Sequence, residues 1–207
     1  MTDTCELLRD DLDEAFASRF GSAGCVAWDI ETSGLDPRTD HIGTAQLHAP
    51  GLGTVIVQVG AVVPQRLCRL LADPAVRKVF HHAMFDLRFM VAHWDAQPAR
   101  IACTKIASKL LSPQLATNCH SLQSLLASYL GVEISKAQRL TDWLAPELTA
   151  AQLAYASRDV AYLIPLLGEL EQRLRTENLV GMYQACLDFL PTRVRLELGD
   201  WPDVFAY

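Results

Sequence analysis

The apolar run Cys25-Val-Ala-Trp-Asp-Ile-Glu31, entered from Gly24 and left through Ser33-Gly-Leu-Asp-Pro37, constrains this chain more than any other stretch. A run of that length between turn-forming residues reads as a buried strand. A buried strand needs cover on both faces, which commits the chain to a layered sheet-and-helix core. Two more strands are predicted near 42–48 and 53–59, the second bounded by Gly53 and Gly60. Pro64 opens a helix with Leu67, Leu70 and Leu71 on one face, and Asp73-Pro74 closes it. Val76 to Phe80 reads as a short strand, and apolar spacing makes 82–93 helical.

Beyond that point the pattern is helical. Thr104 is expected to cap 105–111, which stops at Ser112-Pro113. Leu122, Leu125, Leu126 and Tyr129 stripe the next helix, which Gly131 ends. Thr149-Ala-Ala-Gln152 forms a capping box for a long helix to about 175, which Pro165 should kink or split. A helix near 177–190 and an irregular tail finish the chain. A three-strand meander, strand–helix alternation and then helices predict an α/β fold. Its mixed sheet is covered by helices in one domain over 1–207, a length that can fill such a core.

Charge narrows the function class. With 18 basic and 24 acidic residues the net charge is −6, which argues against a large basic face for gripping nucleic acid. It leaves room for an enzyme whose carboxylates hold cations that in turn hold phosphates. The six cysteines show no paired spacing suited to zinc, and reduced thiols fit a cytoplasmic protein. The acidic start MTDTCELLRDDLDEAF is not a signal peptide, and no apolar run approaches the ~18–20 residues needed to span a membrane. A soluble protein with no membrane partner and no implied protein partner is expected.

Asp29 and Glu31 lie two apart on the strand, so both carboxylates face one side. Like charges set together on an apolar strand are costly unless a cation or another partner neutralises them. Taken alone, the pair also fits a solvated strand end. Asp86 shares a helical face with Phe89 and Met90, one turn on, which also fits a surface or capping aspartate. Tyr155 and Asp159, four apart, share a helical face, so a phenol could bond a water on a metal held by the carboxylate. A half-buried tyrosine beside a surface aspartate reads the same way. His81 and His82 follow a strand and suit hydrogen bonding better than ligation, since Mg²⁺ prefers oxygen. His41, His48, His93 and His120 are assigned to surface or core.

In combination these elements resemble the three exonuclease motifs of the DEDD superfamily. Motif one is Asp29-Ile-Glu31-Thr-Ser-Gly-Leu-Asp-Pro37, motif two Phe80-His-His-Ala-Met-Phe-Asp86, and motif three Tyr155-Ala-Ser-Arg-Asp159. Tyrosine four before the last aspartate marks one branch. The sister branch would have histidine where this chain has Ala154. Cys103-Thr-Lys-Ile-Ala-Ser-Lys-Leu-Leu111, His120-Ser-Leu122 and Ser135-Lys136-Ala-Gln-Arg-Leu-Thr-Asp142-Trp143 are similar to the middle region of ribonuclease D and its exosome-associated relatives. Compact bacterial ribonuclease D-like proteins look most similar. The likeness covers residues 24–175, with 177–207 as a helical extension. Cys103 stands where the family usually has Asp, and His82 where it usually has Asn. The helical C-terminal domain of the longer members is not matched.

The resemblance implies a ribonuclease H-like (DnaQ-like exonuclease) fold and two divalent cations, Mg²⁺ or Mn²⁺. Asp29 would bridge them, Glu31 and Asp159 would complete one site, and Asp86 would support the other. Tyr155 would orient the attacking water. Glu31 would lie near the terminal 3′ hydroxyl, and Thr32, Phe89 and Lys136 match positions lining the last nucleotide, with His82 beside them as a substrate contact. The implied partner is single-stranded nucleic acid, RNA ahead of DNA, cut from a free 3′ hydroxyl to 5′-monophosphates. Two other readings stay open: a DNA-directed 3′-5′ exonuclease, and a binding or scaffold protein with a decayed site.

Overall fold

A computed structural model of the chain describes residues 5–134, 141–201 and 203–206. In chain order the elements are β1 (Cys5–Arg9), α1 (Glu14–Ser22), β2 (Cys25–Thr32), β3 (Ile42–Ala49), β4 (Gly53–Gln58), α2 (Gln65–Ala72), β5 (Arg77–Phe80), α3 (Ala83–Trp94) and β6 (Ile101–Cys103). Then come α4 (Thr104–Leu111), a 3₁₀ turn (Thr117–His120), α5 (Leu122–Leu130), α6 (Ala150–Ala161), α7 (Leu163–Thr176) and α8 (Val180–Leu198). The sheet runs β1-β4-β3-β2-β5-β6. Its central meander β2-β3-β4 is antiparallel, while β1 pairs with β4, β5 with β2 and β6 with β5 in parallel. The expected mixed sheet flanked by helices is the one observed.

Alternation along the strands sorts the two faces. Val26, Trp28, Ile30, Ala45, Leu47, Val55 and Val57 are all buried in the main core with Leu87, Phe89, Leu163 and Leu166 from the helices. Trp28 is fully buried and stacks on Phe80 at 6.1 Å. The opposite face carries Asp29 and Glu31 on β2, directly across from Gln46 and Thr44 on β3. Helix α6 lies over this second face, where Ile56, Trp143 and Ala156 make a smaller core. Among the described residues no helix is long and apolar enough to cross a membrane.

Several expectations hold and some are revised. Thr149 and Gln152 form the reciprocal capping box that opens α6. The long helix expected to 175 is split at Tyr162, which places Pro165 in the first turn of α7, where its missing N–H has no intrahelical acceptor to lose. Gly131 closes α5 at φ 65°, a left-handed cap. Thr104 is the first residue of α4 and does not cap it. Its hydroxyl instead donates to the Phe80 carbonyl at 3.3 Å and lies 2.8 Å from Nδ1 of His81. The last helix runs past the expected 190, through Pro191 to Leu198, because Leu187, Leu190 and Val194 are all buried along it. Strands β1 and β6 were not anticipated.

Candidate active site

Strand β2 delivers two carboxylates to the face under α6. Asp29 is half-buried and Glu31 is 9% exposed. Helix α6 brings Asp159 down onto them, so that one ligand oxygen from each of Asp29, Glu31 and Asp159 lies within 4.8 Å of the others. Asp86 arrives from the first turn of α3, 1% exposed, and its Oδ1 accepts a hydrogen bond from the Ile30 amide at 3.2 Å. The four carboxylates expected from the sequence are thus gathered at one end of β2.

Their electrostatics record the crowding. Burial, then the charge of Asp159, push the Asp29 carboxyl up to about 8, although the Gln46 side chain partly offsets this. Asp86 is also held well above the usual carboxylate range, by burial first and by Asp29 second. Burial raises Asp159 to about 6 against the opposing hydrogen bond from Tyr155. A buried anionic cluster that prefers to hold protons is one that a multivalent cation would neutralise. Oxygen-only donors suit hard cations such as Mg²⁺.

Tyr155 lies one turn before Asp159 on α6, half-buried, and its hydroxyl bonds the Asp159 carboxylate. Burial and the charges of Asp159, Glu31 and Asp29 hold the phenol above its usual range, so it stays protonated and keeps an O–H to donate. The α6 face supplies the reach: positions four apart lie one turn from each other.

The outer residues divide. Thr32 closes β2, and its hydroxyl donates to the Gly34 carbonyl at 2.6 Å within the motif-one turn. His82 is exposed and sits just before α3 in the left-handed region, φ 66°, with no side-chain capping bond. An asparagine there would meet that backbone with less strain. His81 is turned inward. Burial, Lys105 and His82 lower its imidazole to about 3, which leaves a neutral ring bonded to Thr104. Phe89 is fully buried between Phe85 and His93, at ring distances of 5.1 and 5.9 Å, and has no exposed ring face. Lys136 lies outside the described residues. Cys103, the departure from aspartate, is buried at the end of β6, where the Tyr183 hydroxyl accepts from its N–H and donates to its carbonyl.

Two contributors were missed in the sequence. Gln46 donates from Nε2 to Oδ2 of Asp29 at 2.9 Å, and the Thr44 hydroxyl donates to Oε1 of Gln46 at 3.0 Å. The signal was present: Thr44, Gln46 and His48 alternate along a strand in which every residue is buried, and polar side chains there must be meeting polar partners. Trp143 was noted only within a motif, yet its ring lies 6.0 Å from that of Tyr155.

Comparison with known proteins adds an independent line. Residues 6–175 match the family described as 3′-5′ exonuclease. Ribonuclease D of Musicola paradisiaca is 31% identical over 163 residues, 79% of this chain and 42% of that protein. The chain therefore spans less than half the length of that relative. A structure of Brucella melitensis NrnC with bound Mg²⁺ superposes with a TM-score of 0.90 at 35% identity, covering 99% of each chain. The same protein bound to pGG also gives 0.90, at 34% identity over the full length of both. The ribonuclease H-like expectation for the fold is met.

Proposed function

Because the chain belongs to the 3′-5′ exonuclease family, we propose that it is a metal-dependent exoribonuclease. It removes nucleotides from the free 3′ hydroxyl end of single-stranded RNA as 5′-monophosphates. The observation that carries this reading is the convergence of Asp29, Glu31 and Asp159 oxygens within 4.8 Å, with Asp86 fixed on the amide between the first two. The donor set fits divalent ions, Mg²⁺ or Mn²⁺. Asp29, Glu31 and Asp159 would hold one and Asp29 with Asp86 a second, so that four negative charges meet four positive ones. When bound, such ions supply an activated water near neutral pH and positive charge for the leaving oxygen.

The protein's own groups do the rest. Gln46 holds one Asp29 oxygen, and the Ile30 amide holds one Asp86 oxygen, which fixes how each carboxylate presents its free lone pairs. Tyr155, kept protonated, orients the attacking water and does not take its proton. Glu31 would lie toward the 3′ hydroxyl, with Thr32 and His82 beside the last nucleotide and Phe89 packed behind them, covered by Phe85 and His93. The same reading gives Lys136 a contact to that nucleotide. An RNA substrate is supported by the ribonuclease D relatives and by the pGG-bound neighbour. A cytoplasmic location belongs to the same reading.

Labelled RNA and DNA strands of one sequence, incubated with Mn²⁺ or with EDTA, test it. The expected result is metal-dependent shortening of RNA by the wild type and none by a folded Asp29→Asn protein. Degradation of the DNA strand alone would make it a DNA exonuclease. No degradation of either strand by the folded, metal-loaded wild type overturns the enzyme reading.

A further inference from the structure

The β2–β3 ladder changes register between Glu31 and Thr32: Glu31 faces Thr44, but Thr32 faces Ile42. Gly43 is the extra residue at this bulge, and bulges re-aim what lies beside them. Here the neighbour is Trp143. A Cβ on Gly43 would stand 2.3 Å from the Trp143 carbonyl oxygen and 2.8 Å from its carbonyl carbon. The segment around Trp143 thus rests on bare strand backbone, an approach open only to glycine.

Three side chains from three elements hold that segment down. Gln152 of α6 donates to the Asp142 carbonyl at 2.9 Å, Gln58 of β4 to the Ala145 carbonyl at 2.6 Å, and Arg9 of β1 to the Pro146 carbonyl at 3.1 Å. Trp143, 1% exposed, is wedged between the sheet and α6 with Ile56 below and Ala156 beside it. Its ring meets that of Tyr155 at 6.0 Å and 44°. Nε1 of Trp143 is buried without a hydrogen-bond partner among the described residues, so this tryptophan serves through its ring and not through its polar edge.

From this arrangement we infer that Trp143 is the positioning residue for Tyr155. It fixes how the phenol lies over the carboxylates, and its own place is set by Gly43. The inference rests on the exonuclease reading and deepens it. A tyrosine on a half-buried helical face can swing about its side-chain torsions. The indole packs against the phenol at 6.0 Å, which limits that swing and keeps the hydroxyl near the Asp159 carboxylate. The bulge beside Glu31 and the Tyr155 hydroxyl are thereby linked through one stack: strand backbone, indole, phenol.

Steady-state kinetics on labelled RNA test this with Trp143→Phe, Trp143→Ala and Gly43→Ala, each in the wild-type and Tyr155→Phe backgrounds, together with Mn²⁺ titrations. In the wild-type background, Trp143→Ala and Gly43→Ala lower kcat about tenfold or more, since small misplacements of a reacting group are costly. KM and Mn²⁺ affinity stay within about twofold, and Trp143→Phe, which keeps a ring, retains most of the rate. In the Tyr155→Phe background, the same substitutions change kcat by less than about twofold, because the hydroxyl they position is gone. Equal losses in both backgrounds overturn the inference, as does a loss confined to KM or to metal affinity. If Trp143→Ala fails to fold, Gly43→Ala and Trp143→Phe give the answer. A wild-type chain that degrades no RNA fails earlier, and takes the exonuclease reading down with the inference.

Discussion

Asp86 accepts a hydrogen bond from the Ile30 amide at 3.2 Å, which ties helix α3 to the peptide unit between Asp29 and Glu31. The last β2–β5 pair is Ala27 with Val79. Asp86 takes up the amide that a longer β5 would have bonded, so one carboxylate ends a ladder and joins the acidic cluster. Asp86→Asn keeps an oxygen for the Ile30 amide and replaces a carboxyl whose ionisation burial and Asp29 oppose with a group that never ionises. The metal-free variant should therefore melt no lower than the wild type, while its rate falls roughly 100-fold or more. Thermal melts in EDTA beside rates in Mn²⁺ check both halves. A large drop in melting temperature would make Asp86 chiefly structural.

Gln46→Leu removes the donor to Asp29 and leaves the Thr44 hydroxyl without its acceptor. Partners that orient a ligating carboxylate are worth roughly 10- to 100-fold in metal affinity or activity. Calorimetric Mn²⁺ titration should show a weakening in that range, with stability lowered by about 1–3 kcal/mol for the unpaired buried hydroxyl. Unchanged affinity would mean that Asp29 needs no such support.

The metal-free protein should lose stability between pH 6.5 and 8. The sign follows from Asp29, whose folded carboxyl is pushed up to about 8, whereas an unfolded aspartate titrates near 3.9. In this window the folded state holds a proton that the unfolded state has released, so stability falls as pH rises. The loss is on the order of 1–2 kcal/mol. Mn²⁺ should restore it, and ion binding should release protons. Chemical denaturation in EDTA at the two pH values reads this directly. A flat or rising profile contradicts the crowded-carboxylate picture.

Tyr155→Phe removes one hydrogen bond and no carboxylate. The rate should drop roughly 10- to 1,000-fold, with metal affinity barely altered. Collapse of Mn²⁺ binding in this variant would show that the phenol organises the cluster and does not orient a water.

Much of this architecture was legible in the residues because local chemistry and tertiary packing agree. The apolar run ending in Asp29-Ile-Glu31 is a strand with its acids on one face, and Thr149 with Gln152 caps the helix that carries Tyr155 and Asp159. Strand β1 was not legible: Cys5 to Arg9 are mostly exposed, with no alternation to betray an edge strand. Strand β6 has three residues, all buried, too short for any periodicity. Gln46 and Trp143 escaped because their significance lies in what stands opposite them. Register across β2 and β3 and the glycine at the bulge appear only once the strands are paired. The burial of Phe89 behind His93 likewise cannot be seen in one dimension.

The central claim is tested most directly by a time course on 5′-labelled single-stranded RNA with Mn²⁺, comparing a free 3′ hydroxyl with a 3′-phosphate. A chain in which Glu31 expects a terminal hydroxyl should produce a ladder shrinking one nucleotide at a time from the first substrate. It should act slowly or not at all on the second, whose added charge and bulk fall beside the carboxylates. Internal cuts, or equal rates on the two ends, would contradict the account.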